Sequence, residues 1–317
     1  MSESGACKMN AERKIVLVTQ KTRLEELIHR HNTFGQAKFY IEHHGGDFSD
    51  YQQEHQVYQE AVDTVLERLR SYGRLQRLDR DHVSNYIFGQ QDLVIALGRD
   101  GLVVNVMKYL DGQALLGVNP DPARWDGVLL PFGPKDLQKV LPEALGEHRP
   151  VQRITLAQAT LNDGQIIYGV NDIFIGQRTH TSARYELAQG GCREMQSSSG
   201  IIVSTGLGAT GWFKSILAGA TGIARFCGQN NPLSLPEKFD KSAQKLYYTV
   251  REPYPSTSTG AELVFGKIDA NTPLRIVSCM PDNGVIFSDG MEADRLEFNS
   301  GAVATIGIAD RKGHLVI

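Results

Sequence analysis

The sequence has little that would place it in or across a membrane. Its 317 residues include no stretch near the roughly 18 consecutive apolar residues that a membrane-spanning helix needs, and apolar runs such as residues 15–18 have the length of a strand. The N-terminal residues are polar and of mixed charge, without the apolar core of a secretion signal. We therefore expect a cytoplasmic protein without a membrane partner.

Cysteine is scarce, and its spacing fits neither a zinc site nor a disulfide framework. The four cysteines are Cys7, Cys192, Cys227 and Cys279, and no two of them form a C-x-x-C pair. The H-E-x-x-H pattern of zinc hydrolases is also missing. These absences predict a chain from a reducing compartment, with no metal ligands of its own.

The chain also lacks a surplus of positive charge. Lys and Arg number 33 against 36 Asp and Glu, so the formal net charge is −3, which argues against nucleic acid as a main partner. Hydrophobic residues at 41% and charged residues at 22% are ordinary for a globular protein with a full core. At about 150 residues per domain, the length predicts two domains.

Strand and helix signals alternate in the first half of the chain. Short apolar runs predict buried strands, and stretches with apolar residues at helical spacing predict helices between them. The predicted strands are residues 14–19, 92–97 and 114–118, and the predicted helices are residues 21–31, 56–72 and 102–110. This repetition predicts a parallel α/β layer in a first domain over residues 1–150.

Short β-like runs dominate from about residue 150 onwards. Turn residues separate them, such as the Asn-Asp-Gly of 162–164 and the Asp-Gly of 289–290. One helical stretch, residues 211–225, interrupts these runs. The sequence thus predicts a β-rich second domain over residues 151–317.

The first candidate site follows the predicted strand 92–97. Gly98, Arg99, Asp100 and Gly101 come directly after it, and ligands of open α/β sheets bind outside the carboxyl ends of strands. An Asp between glycines can reach a ligand there, while neighbouring backbone N–H groups hold phosphate oxygens. An ordinary Asp-Gly turn is the alternative, and these four residues alone favour it.

A glycine-rich segment precedes the last predicted helix. Gly206, Gly208 and Gly211 have the G-x-G-x-x-G spacing of a dinucleotide-binding turn, but the acidic residue expected about 20 positions later is missing. A phosphate-binding P-loop does not match either, because Trp212 and Phe213 follow the last glycine in place of Lys and Ser or Thr. An anion site at a helix N-terminus and a cluster of packing glycines stay equally open.

Two polar residues interrupt an apolar strand run. Asn171 and Asp172 stand within residues 165–175, although Asn and Asp are unfavourable in strands. They indicate either a β-bulge or a pair that hydrogen-bonds a ligand, and the residues alone do not separate the two.

Taken in order, the 98–101 loop, the Asn171-Asp172 pair and the glycine-rich segment resemble the signatures of the NAD kinase family. Those signatures are a GGDG loop, an Asn-Glu pair and a segment rich in Thr and Gly. The likeness is greatest to the mitochondrial-type branch and its bacterial relatives, and it covers the chain from about residue 90 to the end. Further matching stretches are residues 117–122, 171–176, 182–185, 198–200, 233–236, 251–253 and 298–302.

The resemblance implies an α/β domain, a β-sandwich-like domain and NAD bound in the cleft between them. It implies transfer of the γ-phosphoryl of ATP, or of a phosphoryl of polyphosphate, to the 2′-hydroxyl of the adenosine ribose, with Mg²⁺ accompanying ATP. Asp100 would be the base for that hydroxyl, with Gly98, Arg99 and Gly101 at the phosphates. The positions that match NAD-binding positions of the family are Asn171, Asp172, Thr210, Gly211, Trp212 and Ser215. A homodimer or higher homo-oligomer is expected.

The sequence departs from the family pattern at four positions. Arg99 replaces the second glycine of GGDG, Asp172 is one methylene shorter than Glu, and Leu207 and Ala209 stand where hydroxyl-bearing residues are usual. Two competing interpretations therefore stay open. One is a catalytically weakened NAD(P)- or nucleotide-binding protein on the same scaffold, and the other is a kinase for a different hydroxyl substrate, such as a lipid.

Overall fold

The polypeptide divides at Gln152 into two units. The structure, a computed structural model, describes residues 13–229, 235 and 239–317. Unit 1 contains the described residues up to Gln152 together with His314–Ile317, and unit 2 contains Arg153–Gly313. The two units therefore differ from a simple division at residue 150, because the last four residues belong to unit 1. Cys7 and most of the matching stretch 233–236 lie outside the described residues.

Unit 1 contains a parallel sheet with the strand order β2-β1-β3-β4. The strands are β1 (Lys14–Thr19), β2 (Arg74–Asp79), β3 (Leu93–Leu97) and β4 (Ala114–Val118). His314 and Leu315, near the end of the chain, pair in parallel with β4. From β1 the chain moves outward to β2 and then returns past β1 to β3, so the strand order reverses between β1 and β3. The predicted parallel α/β layer is confirmed.

Helices cover this sheet. Helices α1 (Arg23–His31), α2 (Phe34–His43) and α3 (Phe48–Leu69) connect β1 to β2, α4 (Asp100–Met107) connects β3 to β4, and α5 (Leu137–Leu145) follows β4. Buried residues of α3 and α5, such as Val62 and Leu141, form one core with Ile15, Ile95 and Leu116 of the sheet. This core fixes the strands whose carboxyl ends carry the first candidate site.

Helix α3 begins earlier than its apolar spacing indicates. The sequence predicts a helix over residues 56–72 after a polar loop, whereas α3 starts at Phe48. The Asp47 side chain caps it there by accepting the Ser49 N–H at 2.8 Å. Helix α2 is not predicted from the sequence, because Ala37 is its one fully buried residue and its apolar periodicity is weak.

Unit 2 consists of two antiparallel sheets whose buried side chains form one core. That core includes Tyr185 and Ile276 from one sheet and Ile175 and Tyr248 from the other. The predicted β-sandwich-like second domain is thus confirmed. The first sheet contains β5 (Val151–Leu161), β6 (Ile166–Gly169), β8 (Ala183–Gln189), β9 (Cys192–Ser198), β13 (Leu274–Ser278) and β16 (Val303–Val316).

The second sheet of unit 2 has the strand order β12-β11-β10-β7-β14-β15. Its strands are β7 (Asp172–Gln177), β10 (Ile201–Ser204), β11 (Leu246–Val250), β12 (Phe265–Ile268), β14 (Gly284–Ser288) and β15 (Met291–Glu297). Helix α6 (Trp212–Phe226) follows β10. In the part of the chain that the structure describes, no helix is both long and apolar enough to cross a membrane.

Candidate functional site

The loop after β3 turns the chain into α4 at the carboxyl edge of the parallel sheet. Gly98 is buried, and its N–H donates to the Val118 carbonyl at the end of β4 (3.2 Å). Asp100 is the first residue of α4, and Arg99 precedes it without a side-chain cap. Gly101 has open space around it. The loop thus places the Asp100 carboxylate at a helix N-terminus, where a negative charge is stabilised.

The Asp100 carboxylate is held by the backbone of a second loop. Oδ1 accepts the Leu129 N–H at 2.8 Å, and Oδ2 accepts the Val128 N–H at 3.1 Å. These donors follow Gly127, whose φ of +63° requires the left-handed region. Asp100 is half-buried, and each of its oxygens has a second lone pair. The carboxylate is therefore fixed in orientation and still able to accept a hydrogen bond from a ligand.

Tyr58 joins the carboxyl ends of β1 and β3. Its hydroxyl donates to the Leu97 carbonyl at 3.0 Å and accepts the Gln20 N–H at 2.9 Å. Burial raises the pKa of Tyr58 to about 12, so the hydroxyl stays protonated at neutral pH. The strand order reverses between β1 and β3, and ligands of open α/β sheets bind at such a reversal. The loop after β3 therefore lies where the topology favours a ligand.

The Arg99 side chain is exposed and lies over the indole ring of Trp125, 5.1 Å from the ring centroid. Both residues line a small cavity of about 20 Å³ together with Lys21, Tyr58 and Asp121. The sequence patterns do not single out Trp125 or Tyr58, because their contacts join residues that are far apart in the chain.

In unit 2, the Asn171-Asp172 pair forms a corner. The run predicted over residues 165–175 divides into β6 and β7, with Val170 and Asn171 between them. The Asn171 carbonyl accepts the Thr205 N–H at 2.9 Å, and the Val170 carbonyl accepts the Thr205 hydroxyl at 2.6 Å. The polar pair therefore marks a break in the strand, and the role of its side chains depends on their surroundings.

The Asp172 carboxyl is buried without a protein partner. The residue is 8% exposed, and within residues 13–229, 235 and 239–317 no protein group hydrogen-bonds its carboxyl. Burial, and then the negative charge of Asp289, raise the pKa of Asp172 to about 7. The carboxyl oxygens are not among the fully enclosed unpartnered atoms of the described residues, so a ligand hydroxyl can reach them and supply the missing hydrogen bond.

Two residues of the glycine-rich turn are glycines because of packing. A Cβ on Gly206 would lie 1.7 Å from the Asp240 carbonyl oxygen, and a Cβ on Gly208 would lie 2.0 Å from that of Asn171. Leu207, between them, is buried. These contacts favour the packing interpretation for Gly206 and Gly208, and they place the turn directly against the Asn171 backbone.

The second part of the glycine-rich segment is open to solvent at the start of α6. Thr210, Gly211 and Ser215 are exposed, and the Ser215 hydroxyl donates to the Gly211 carbonyl at 3.4 Å. Trp212 is half-buried and stacks on Phe174, with ring centroids 6.0 Å apart. The structure thus brings these four predicted site residues together at the start of one helix.

An apolar groove of about 800 Å³ runs along the same helix. Its walls include Trp212, Ile216 and Ala220 of α6 and, from another part of the chain, Pro253 and Val264. The sequence patterns do not indicate this groove, because its walls come from distant segments.

Comparisons with known proteins show a likeness in structure. No model of a protein family matches the chain, and no curated protein matches it by sequence. A yeast NADH kinase complexed with NADH is similar with a TM-score of 0.59 at 12% identity, covering 96% of this chain and 83% of that one. An NAD kinase from Archaeoglobus fulgidus in complex with ATP is similar with a TM-score of 0.56 at 13% identity, covering 96% and 93%. The chain therefore has the fold of the NAD kinases.

Proposed function

We propose that the protein is an NAD kinase, which transfers the γ-phosphoryl group of ATP to the 2′-hydroxyl of the adenosine ribose of NAD. The observation that carries this proposal is the Asp172 carboxyl, buried beside Asn171 and without a protein hydrogen bond in the described part of the chain. Ribose hydroxyls both donate and accept, so an amide next to a carboxyl suits them. The fold supports this choice of ligand.

The acceptor nucleotide contacts the corner and the adjoining turn in this proposal. Gly208 packs against the Asn171 backbone, so the corner and the glycine-rich turn form one surface. At the start of α6, Thr210 and Ser215 add exposed hydroxyls and Trp212 adds an aromatic ring. Such a surface offers hydrogen bonds for ribose and phosphate together with stacking for a base.

Asp100 is the base in the proposed reaction. The 2′-oxygen forms a bond to the γ-phosphorus, the bond from that phosphorus to the β–γ bridging oxygen breaks, and ADP leaves with the electron pair. The proton of the 2′-hydroxyl passes to a carboxylate oxygen of Asp100. The N–H groups of Val128 and Leu129 hold the carboxylate in one orientation, so it does not have to be ordered during the reaction.

The donor lies at the loop after β3 in this proposal. Gly101 leaves room at the backbone, whereas Gly98 is buried against Leu102 and Gln20. The Arg99 guanidinium offers several donors to phosphate oxygens. We propose that Mg²⁺ accompanies ATP. Magnesium is generally held by substrate phosphates with one or two carboxylates, so the residues here fit an ion that the donor carries. When bound, it neutralises charge on the phosphates.

A nucleotide-binding protein without kinase activity is the second candidate function. Arg99 favours it, because this side chain occupies a position where the GGDG loop leaves space for a phosphate. Asp100 favours the kinase, since binding alone does not require a base at this position.

One assay separates these candidates. Purified protein is incubated with Mg-ATP and NAD, NADP is measured with an NADP-specific dehydrogenase, and NAD binding is measured by calorimetry. We expect NADP to form, and parallel reactions with polyphosphate or NADH identify the preferred substrates. NAD binding without NADP formation would support the second candidate. Neither binding nor NADP formation would contradict both.

A further inference from the structure

A two-residue turn joins β14 to β15. Asp289 and Gly290 form it, with φ values of +55° and +69°, and Ser288 and Met291 pair on either side. Two successive left-handed residues characterise a type I′ hairpin turn, which Asn-Gly, Asp-Gly and Gly-Gly all favour. The turn alone therefore does not explain why its first residue is Asp.

The Asp289 carboxylate lies against the corner that carries Asn171 and Asp172. Oδ1 accepts the N–H groups of Asn171 at 2.7 Å, Val170 at 3.1 Å and Asp172 at 3.3 Å, and Oδ2 accepts that of Val170 at 2.9 Å. In return, the Asp289 N–H donates to the Asp172 carbonyl at 3.1 Å. Three successive backbone donors on one carboxylate form an anion nest. Asp289 thereby fixes the backbone from which both side chains project.

Asp289 also acts on Asp172 through its charge. The strands beside β7 place uncharged residues here, with Ser204 opposite Asp172 and Ser288 opposite Ile173. Among the described residues, Asp289 is the charged group that acts on Asp172, and its negative charge adds to the effect of burial in raising the pKa of Asp172. The Asp289 side chain thus holds the backbone of Asp172 and adds to the rise in its pKa that burial causes.

We propose that Asp289 is a positioning residue for NAD, acting through the backbone of the Asn171-Asp172 corner and through its charge. The inference rests on the proposed function, because it has consequences only if this corner binds NAD. It adds to that function a residue that the sequence motifs do not include.

The first test is Asp289→Gly. The resulting Gly-Gly dipeptide still favours the type I′ turn, but both acceptor oxygens are gone. We expect the KM for NAD to rise about 10-fold or more, since several hydrogen bonds that order the corner are lost, while kcat and the KM for ATP change by less than about 2-fold. A purely structural defect would instead lower the fraction of active protein and would not selectively raise the KM for NAD.

The second test is Asp289→Asn, which keeps one acceptor oxygen and the turn but removes the charge. We expect the pH at which the KM for NAD changes to move to lower values, because the pKa of Asp172 falls when the negative neighbour is removed. Asp163→Asn is the matched control. Its carboxylate also lies in a hairpin turn and accepts the N–H of Gln165 at 3.0 Å. We expect this variant to leave the pH profile unchanged.

The outcomes distinguish the inference from the proposed function. A wild-type protein that neither binds NAD nor forms NADP would contradict the proposed function. If the wild type does both, an unchanged KM for NAD in Asp289→Gly, together with an unchanged pH profile in Asp289→Asn, would overturn the role of Asp289. If Asp289→Gly does not fold, as judged by circular dichroism, the pH profile of Asp289→Asn decides the question.

Discussion

The guanidinium of Arg99 lies over the indole ring of Trp125, 5.1 Å from the ring centroid. A cation–π contact of this kind restrains the guanidinium, and its N–H groups can still donate to phosphate oxygens. Arg99 stands at a position where the NAD kinase signature has glycine. The contact with Trp125 therefore supports a role of Arg99 in binding the donor phosphates.

Replacing this arginine tests that role. In Arg99→Gly, which restores the GGDG loop, we expect the KM for ATP to rise roughly 10- to 100-fold through the loss of charge-assisted hydrogen bonds, with little change in the KM for NAD. Trp125→Ala should raise the KM for ATP by less, because Arg99 stays and loses only the aromatic ring that it lies over. The measurement is steady-state kinetics with each substrate varied. An Arg99→Gly variant that forms NADP faster than the wild type would show that Arg99 blocks the loop.

Asp100 is expected to carry the proton transfer. Asp100→Asn keeps the shape of the side chain and removes the base, and we expect kcat to fall by ~10²–10⁴-fold. NAD binding measured by calorimetry should be retained. The amide can accept only one of the N–H groups of Val128 and Leu129, so a small loss of thermal stability should accompany the change. NADP formation at the wild-type rate would refute the assignment.

The Asn171-Asp172 corner is expected to bind the acceptor. Replacing both residues with Ala should raise the KM for NAD more than that for ATP, because the amide and the carboxyl proposed to bind the ribose hydroxyls are lost. The kinetic comparison is made against the wild type at one pH. A larger effect on ATP would assign the corner to the donor instead.

Asp172 should also make stability depend on pH. Its pKa is about 7 in the folded chain and 3.8 ordinarily, so the folded state binds the proton more tightly and its stability falls as pH rises through about 4 to 7. Asn carries no charge at any of these pH values. The free energy of unfolding of Asp172→Asn, relative to that of the wild type, should therefore increase by roughly 2–3 kcal/mol between about pH 5 and pH 8. Urea unfolding at the two pH values measures it, and a constant difference would contradict the raised pKa.

Gly208 is expected to tolerate no side chain. In Gly208→Ala, the Cβ would lie 2.0 Å from the Asn171 carbonyl oxygen, so the backbone of the corner has to shift. We expect a loss of about 1–3 kcal/mol in the free energy of unfolding, together with weaker NAD binding. Gly219→Ala is the matched control, because that helical glycine has open space around it and Ala should stabilise α6 by about 0.5–1 kcal/mol. Equal changes in the free energy of unfolding of the two variants would argue against a close contact between the residue at position 208 and the Asn171 carbonyl.

Local patterns were sufficient to predict much of the fold. The apolar run of 14–19 coincides with β1, and that of 114–118 coincides with β4, because both strands are buried and their composition shows it. The sequence pattern does not predict strand β2, because β2 lies at the edge of the sheet, where Arg74, Gln76 and Arg77 are exposed and interrupt the apolar run.

The candidate site was predictable only in part. Asp172 stands out because Asp is unfavourable within a strand, and Asp100 because it lies between glycines at the carboxyl end of a predicted strand. The groups that hold or surround them come from distant parts of the chain, such as the Leu129 N–H on Asp100 and the Asp289 carboxylate at the corner of unit 2. A turn dipeptide such as Asp289-Gly290 is common in hairpins, so the local sequence does not indicate that Asp289 contacts another turn.

The proposed kinase activity is tested by the transfer of label from [γ-³²P]ATP to NAD by the wild type and by Asp100→Asn. We expect the wild type to form labelled dinucleotide that an NADP-specific dehydrogenase accepts, which places the phosphate on the 2′-oxygen. Under the same conditions, we expect Asp100→Asn to bind NAD and to transfer almost no label. A wild-type protein that binds NAD and leaves it unlabelled, or that labels it at a position the dehydrogenase does not accept, would refute the proposed NAD kinase activity.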